Sequence, residues 1–166
     1  MLNEIFLFVT ITVIIQRFIE LFISHRNEKW LLKNGSVEFG KEHYKYIVLL
    51  HILFFVSMYI EFYLSKNIYF FLIPLILFLI LQIFKIWLII SLGKFWNTKI
   101  FRIPGSPLIK TGLYKYFKHP NYFIVICEIF ILPLIFGLYI TSIIFSIFNA
   151  IALFVRIRTE NEALKL

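Results

Sequence analysis

The chain has 166 residues, 61% of them hydrophobic and 20% aromatic, with a formal charge of +8. That apolar share exceeds what a water-soluble domain carries, so most of the surface must face a bilayer. The cations sit in short segments between apolar runs, which excludes a nucleic-acid reader and describes membrane topology, while the single cysteine, Cys127, excludes a disulfide framework or thiolate metal site.

A spanning helix needs about 20 mainly apolar residues. The first run, residues 5–23, follows Asn3 and Glu4 rather than a basic stretch, and no small-residue cleavage pair comes after it. It is expected to be retained as a helix. Runs over 46–64 and 68–90 are joined by Ser65-Lys66-Asn67, and runs over 122–136 and 138–155 meet near Gly137. Pro133 would kink the fourth unless neighbours satisfy the carbonyl it frees. The expected fold is therefore an all-α integral membrane protein of about five transmembrane helices, forming one domain over residues 1–166.

Charge orients the bundle. Eleven cations lie between the first and second runs and between the third and fourth, and Arg156, Arg158 and Lys165 follow the fifth, whereas Lys66 stands alone on the other side. The positive-inside rule places the N-terminus outside and both long loops and the C-terminus in the cytosol. Both loops are rich in aromatics, Trp30 and Phe39 in the first and Trp96, Phe101, Tyr114 and Phe117 in the second, so they are expected to pack on the bundle or lie among headgroups.

Arg17, Glu20, Lys85 and Glu128 fall inside the runs, each within roughly 5–10 Å of the cytosolic boundary. An ionisable group near a helix centre costs about 2.5–3.5 kcal/mol. Four at one depth imply a polar layer, with Gln16 and Gln82 able to join it. A structural ion-pair network and a functional site both answer to this pattern. Glu61, near the outer end of the second run, is expected simply to reach the surface.

The densest motif is Gly112 to Tyr122, ending Lys118-His119-Pro120-Asn121-Tyr122. Pro120 fits the first turn of a helix and holds His119 extended just outside it. His119 and Lys118 then stand beside a helix N-terminus, which attracts anions; a structural histidine is the plainer alternative. The chain closes on Arg156-Ile157-Arg158-Thr159-Glu160-Asn161-Glu162, where Arg158 and Glu162 share a helix face. A positive-inside anchor followed by a solvated helix end would look the same. The histidines are dispersed, without the spacing of a metal site.

Taken together, Gly-x-Tyr-x-x-x-Lys-His-Pro-x-Tyr, an apolar hairpin and Arg-x-Arg-Thr-Glu-x-Glu resemble the isoprenylcysteine carboxyl methyltransferase family over about residues 108–166. Arg17-Phe18-Ile19-Glu20-Leu21, Ser24-His25-Arg26-Asn27 and Leu92 to Lys99 resemble its short bacterial branch, which includes O-methyltransferases of alkylpyrones. The resemblance implies a methyltransferase of the bacterial plasma membrane, using S-adenosylmethionine, with its site facing the cytosol. His119 and Tyr122 then match positions lining the cofactor pocket, with Lys118, Pro120 and Glu128 assigned beside them. Arg158 and Glu162 match the catalytic pair. Arg17, Glu20 and Trp96 are assigned to the acceptor, a lipophilic small molecule or membrane lipid. Lys118 stands where the family commonly has arginine, and Asn161 interrupts a run of glutamates. Phospholipid N-methylation, a membrane reductase and a non-catalytic membrane protein are the competing readings; no dinucleotide-binding glycine fingerprint supports the reductase.

Overall fold

The computed structural model describes residues 1–165. Its elements are α1 (Leu2–Lys33), β1 (Val37–Phe39), α2 (Lys41–Leu64), α3 (Leu72–Leu92), β2 (Ile100–Arg102), α4 (Pro120–Leu134) and α5 (Tyr139–Ala163). Of the five helices, α1, α2, α3 and α5 are long and apolar enough to cross a membrane. The fourth has 15 residues and extends about 22 Å, less than the roughly 30 Å hydrocarbon core. Large apolar side chains such as Phe22, Ile73, Ile83, Ile90 and Ile140 are exposed along the helices, as a lipid solvent requires. The chain is a helical membrane protein.

Among the described residues the fold is helical throughout apart from one short strand pair in the loops. β1 and β2 pair antiparallel, with Val37 opposite Arg102 and Phe39 opposite Ile100. The two long loops thus join each other as well as packing on the bundle, where both strands lie against α5. Helix bounds also shift: α1 continues ten residues beyond 23, and α3 starts only at Leu72, after an extended Phe71 whose N–H donates to Ile135 O at 2.9 Å. Pro133 lies in the last turn of α4, just before the chain turns at Gly137 with φ +69°. It therefore closes the helix and has little helix left to kink.

Packing divides the molecule into two halves. At the end away from the two long loops Phe6, Phe54, Met58, Phe62, Phe136 and Phe145 form an apolar core. Phe6 stacks on Phe62 with centroids 3.8 Å apart, and Thr10 Oγ1 lies 3.0 Å from Tyr59 OH, which closes α1 onto α2. Glu61 is not idle at the surface. Its carboxylate accepts from Ile140 N–H at 3.0 Å and Thr141 N–H at 2.7 Å, capping α5 from another helix. Free N–H groups and the positive dipole end of α5 favour a carboxylate there.

Toward the other end α4 packs between α3 and α5, and α2 lies against α5. Here α1 is held by a polar clamp. Asn27 Nδ2 donates to Gly93 O at 3.0 Å and Trp96 O at 2.7 Å, and Ser24 Oγ meets Asn97 Oδ1 at 2.9 Å and Thr98 Oγ1 at 2.8 Å. The motifs around Ser24-Asn27 and Trp96-Asn97-Thr98 are two sides of one joint. It fixes the loop that faces the ends of α4 and α5.

Candidate functional site: a polar pocket and an apolar cavity with a common wall

His119 occupies the N-cap of α4 and Pro120 the first turn, as their sequence order dictates. The imidazole lies between two side chains of α5. Its Nε2 is 3.1 Å from Asn161 Oδ1, and its Nδ1 is 3.6 Å from Glu160 Oε1, an ion pair without a formed hydrogen bond. Glu160 raises the His119 pKa above its ordinary 6.5, against a smaller opposing effect of burial. Tyr122, in the same first turn of α4, stacks on His119 at 5.5 Å and donates its hydroxyl proton to Glu160. Arg156 Nε donates to Tyr122 OH at 3.1 Å, and its Nη2 donates to Thr98 O. An unbroken polar chain thus runs from the loop through Arg156, Tyr122 and Glu160 to His119 and Asn161.

Two cavities meet at this chain. A polar pocket of about 100 Å³ is lined by Arg102, Tyr114, His119, Asn121 and Glu160, with Phe95 and Trp96 beside them. Burial, and then the charge of Glu160, push the Tyr114 phenol well above its ordinary value. A mostly apolar cavity of about 390 Å³ descends between α1, α2, α4 and α5 past Phe18, Val48, Phe55, Val125 and Leu153. Trp96, Asn121, Tyr122 and Arg156 line both and form the wall between them. The second cavity opens where α1 and α2 part, beyond the end closed by Phe6 and Phe62: Phe18, Leu21, Val48 and Ile52 line it and are also exposed.

The expected polar layer exists and is one buried network. Glu128 is 3% exposed and accepts from Arg17 Nη2 at 2.7 Å, from Lys85 Nζ at 3.1 Å and from Gln82 Nε2 at 2.9 Å. Glu20 accepts from Arg17 Nη1 at 2.9 Å and Gln16 Nε2 at 2.9 Å, and it pairs with Lys85 at 2.9 Å. Two cations face two anions, so the cluster is neutral and ties α1, α3 and α4 together. Arg17, Glu20 and Lys85 also border the apolar cavity.

The residues assigned from sequence are therefore divided. His119, Pro120 and Tyr122 stand together at the head of α4, Trp96 joins them in the common wall, and Arg17 and Glu20 border the apolar cavity. Lys118 is exposed and lines neither cavity, and Glu128 is enclosed by the ionic network and lines neither. Arg158 and Glu162 are both exposed; the Arg158 guanidinium lies 4.3 Å from the Phe154 ring centroid. The reason is helical rotation. Asn149, Leu153, Arg156 and Glu160 follow one another at three or four residues and share the inner face of α5, whereas a residue two positions away does not face the same side. Arg156 and Glu160 have the same i, i+4 spacing as Arg158 and Glu162 but point inward. The buried stripe of Ser142, Phe145, Asn149 and Leu153, extended past the membrane, would have found them. Asn161 and Thr98 gave no comparable signal.

Comparison with known proteins identifies the family. The isoprenylcysteine carboxyl methyltransferase (ICMT) family model matches residues 72–166, which include α3, the wall and both inward residues of α5. An uncharacterized protein of Bacillus subtilis, YpbQ, is 44% identical over 154 residues, covering 92% of each chain. An uncharacterized protein of Haemophilus influenzae is 30% identical over 164 residues, covering 95% of each. No solved structure matches the chain. On the family match and these full-length relatives, the chain belongs to the isoprenylcysteine carboxyl methyltransferase family.

Proposed function

We propose that the protein is an S-adenosylmethionine-dependent methyltransferase that transfers a methyl group to an oxygen, a carboxylate or an enol hydroxyl, of a lipophilic acceptor such as an alkylpyrone. The observation that carries this reading is the shared wall. A polar pocket and an apolar cavity meet at Arg156, Tyr122, Asn121 and Trp96, so a water-soluble and a lipid-soluble reactant can reach one point from two sides.

The residues of the polar pocket fit this cofactor. Arg102 Nε and His119 Nδ1 are buried without a hydrogen-bond partner among the described residues, and both are donors suited to a carboxylate. Glu160 suits an ammonium group, and Tyr114, Trp96 and Tyr122 offer aromatic faces to a sulfonium. When bound, the cofactor supplies a methyl group on a sulfonium that leaves without acid assistance. The protein has mainly to align the reactants, an effect worth about 7–11 kcal/mol. Arg156 spends two N–H groups on Tyr122 and Thr98 and turns its guanidinium to the wall, where the rest can hold an anionic acceptor oxygen. An acidic acceptor arrives ionised and needs little base; Glu160 keeps Tyr122 and His119 in place. The roles first assigned to Arg158 and Glu162 pass in this reading to Arg156 and Glu160.

Calorimetric titration of S-adenosylmethionine into detergent-purified protein tests the reading. His119→Ala should weaken binding by about 1.5–3 kcal/mol if a charge-assisted hydrogen bond is lost. Wild-type affinity should also fall with pH. A raised pKa means that the charged ring persists above 6.5, its contribution complete below that value and lost as pH rises through the folded-state value. His119→Ala should flatten this profile. No binding by the wild type at any pH would overturn the cofactor assignment.

In this reading the site faces the cytosol from a bacterial plasma membrane; the bias of cations toward the long loops and the C-terminus supports that orientation. A reporter fused after Leu166 should read as cytosolic, and one inserted within Ser65–Asn67 as external. The opposite pattern would put the pocket on the wrong side for a cytosolic cofactor.

A further inference from the structure

Thr98 marks a level within the protein. Its hydroxyl meets Ser24 of α1 at 2.8 Å and Tyr44 of α2 at 3.0 Å, and its carbonyl accepts from Arg156 of α5. Seven residues along each of these helices, always away from the loop, stand Arg17, His51 and Asn149. Seven residues are close to two turns, so each keeps the face of its starting residue and lies about 10 Å farther in. All three border the apolar cavity. Three helices thus place a second polar tier below the first.

Each member of that tier has hydrogen-bonding capacity the protein leaves unused. Arg17 Nε and Asn149 Nδ2 are buried with no partner among the described residues, and Asn149 is only 2% exposed. His51 Nδ1 lies 2.8 Å from Ile47 O, which can only accept, so the neutral ring carries its proton on Nδ1 and presents a bare Nε2 acceptor. Between the tiers Ile47, Val48, Val125 and Leu153 make the cavity wall largely apolar, while Glu20 and Lys85, already paired with each other and with Arg17 or Glu128, border it beside Arg17. A plain hydrocarbon chain filling this space would leave two buried donors and one acceptor unpaired, each at a desolvation penalty.

We propose that the lower tier is a subsite for a second oxygen of the acceptor: the molecule methylated at Arg156 carries a hydroxyl about 10 Å away along its chain. A hydroxyl is the group this tier matches, since it can accept from Arg17 and Asn149 and donate to His51. Discrimination arises because a site built to pair a hydroxyl is penalised by an analogue lacking it. This inference rests on the acceptor cavity proposed above and narrows what occupies it.

Two probes test it: a 4-hydroxy-6-alkyl-2-pyrone with a plain saturated tail, and the same compound with a tail hydroxyl about 10 Å from the ring hydroxyl. Binding is measured by calorimetry in detergent, without the methyl donor, so that it does not depend on turnover. Affinity for the hydroxylated probe relative to the plain one should be about tenfold higher in the wild type than in Asn149→Leu, a comparison that cancels partitioning into detergent. His51→Phe should lower the same ratio and serves if Asn149→Leu does not fold. Equal ratios in wild type and variants would overturn the subsite and leave its polar groups to water. If the ratio behaves as expected but neither probe is methylated, the subsite stands and the methyl-transfer reading fails. If both are methylated alike and the ratio does not change, the transferase stands and the subsite fails.

Discussion

Arg156→Ala is expected to lower the single-turnover rate of methyl transfer by about 10²–10³-fold, the usual loss when one preorganised donor to a developing or resident oxyanion is removed. Arg158→Ala is expected to stay within a few-fold of wild type. The contrast follows from their surroundings: Arg156 is tied to Tyr122 OH and Thr98 O in the wall between the cavities, and Arg158 lies exposed over Phe154. Arg156→Lys should recover only part of the rate, because lysine keeps the charge without the fork that reaches two anchors and the acceptor together. If Arg158→Ala silences the enzyme while Arg156→Ala does not, the motif assignment is right and the inward face of α5 has another use. Donor affinity, measured on the same variants, separates a lost transition-state contact from a damaged cofactor pocket.

Glu128→Ala should destabilise the protein by about 3–5 kcal/mol, the range for removing one partner of a buried ion pair. Lys85 is 1% exposed, and the substitution would leave it and Arg17 sharing Glu20 alone. Glu128→Gln should cost less, since the amide keeps the side chain's volume and its one oxygen still accepts from Gln82 or from Arg17, although the NH2 then faces the other donor and the charge is gone. Equilibrium unfolding in mixed micelles reads the loss. Because Glu128 borders neither cavity, the folded fraction of Glu128→Gln should keep wild-type affinity for S-adenosylmethionine. Normal stability with lost donor binding would instead return Glu128 to the cofactor site.

The helical spans were legible because hydropathy over about 20 residues is a property of local sequence. Their ends were not. Helix α1 runs on to Lys33 because Ser24 and Asn27 are bonded to a loop some 70 positions later, and no local pattern encodes that partner. The shared depth of Arg17, Glu20, Lys85 and Glu128 could be counted along the helices, but which cation faces which anion depends on helix rotation. The same limit governs the end of α5. A motif fixes the spacing of Arg158 and Glu162, and equally that of Arg156 and Glu160, without choosing the pair that turns inward. Glu61 is the converse case: an apparently exposed acid finds its function on another helix, at the N-terminus of α5.

The wedge between α1 and α2, shut by Phe6 and Phe62 at one end and parted beside Val48 and Phe18 at the other, has a kinetic meaning for the proposed reaction. The two reactants are counted in different currencies: the cofactor by its molarity in water, the acceptor by its mole fraction in the lipid that bathes the wedge. Diluting the membrane with inert lipid at fixed total acceptor then starves one side of the wall and leaves the other untouched. Masking the acidic oxygen with a methyl group removes the charge that held the acceptor at Arg156, so the product is released back into the bilayer by its own chemistry.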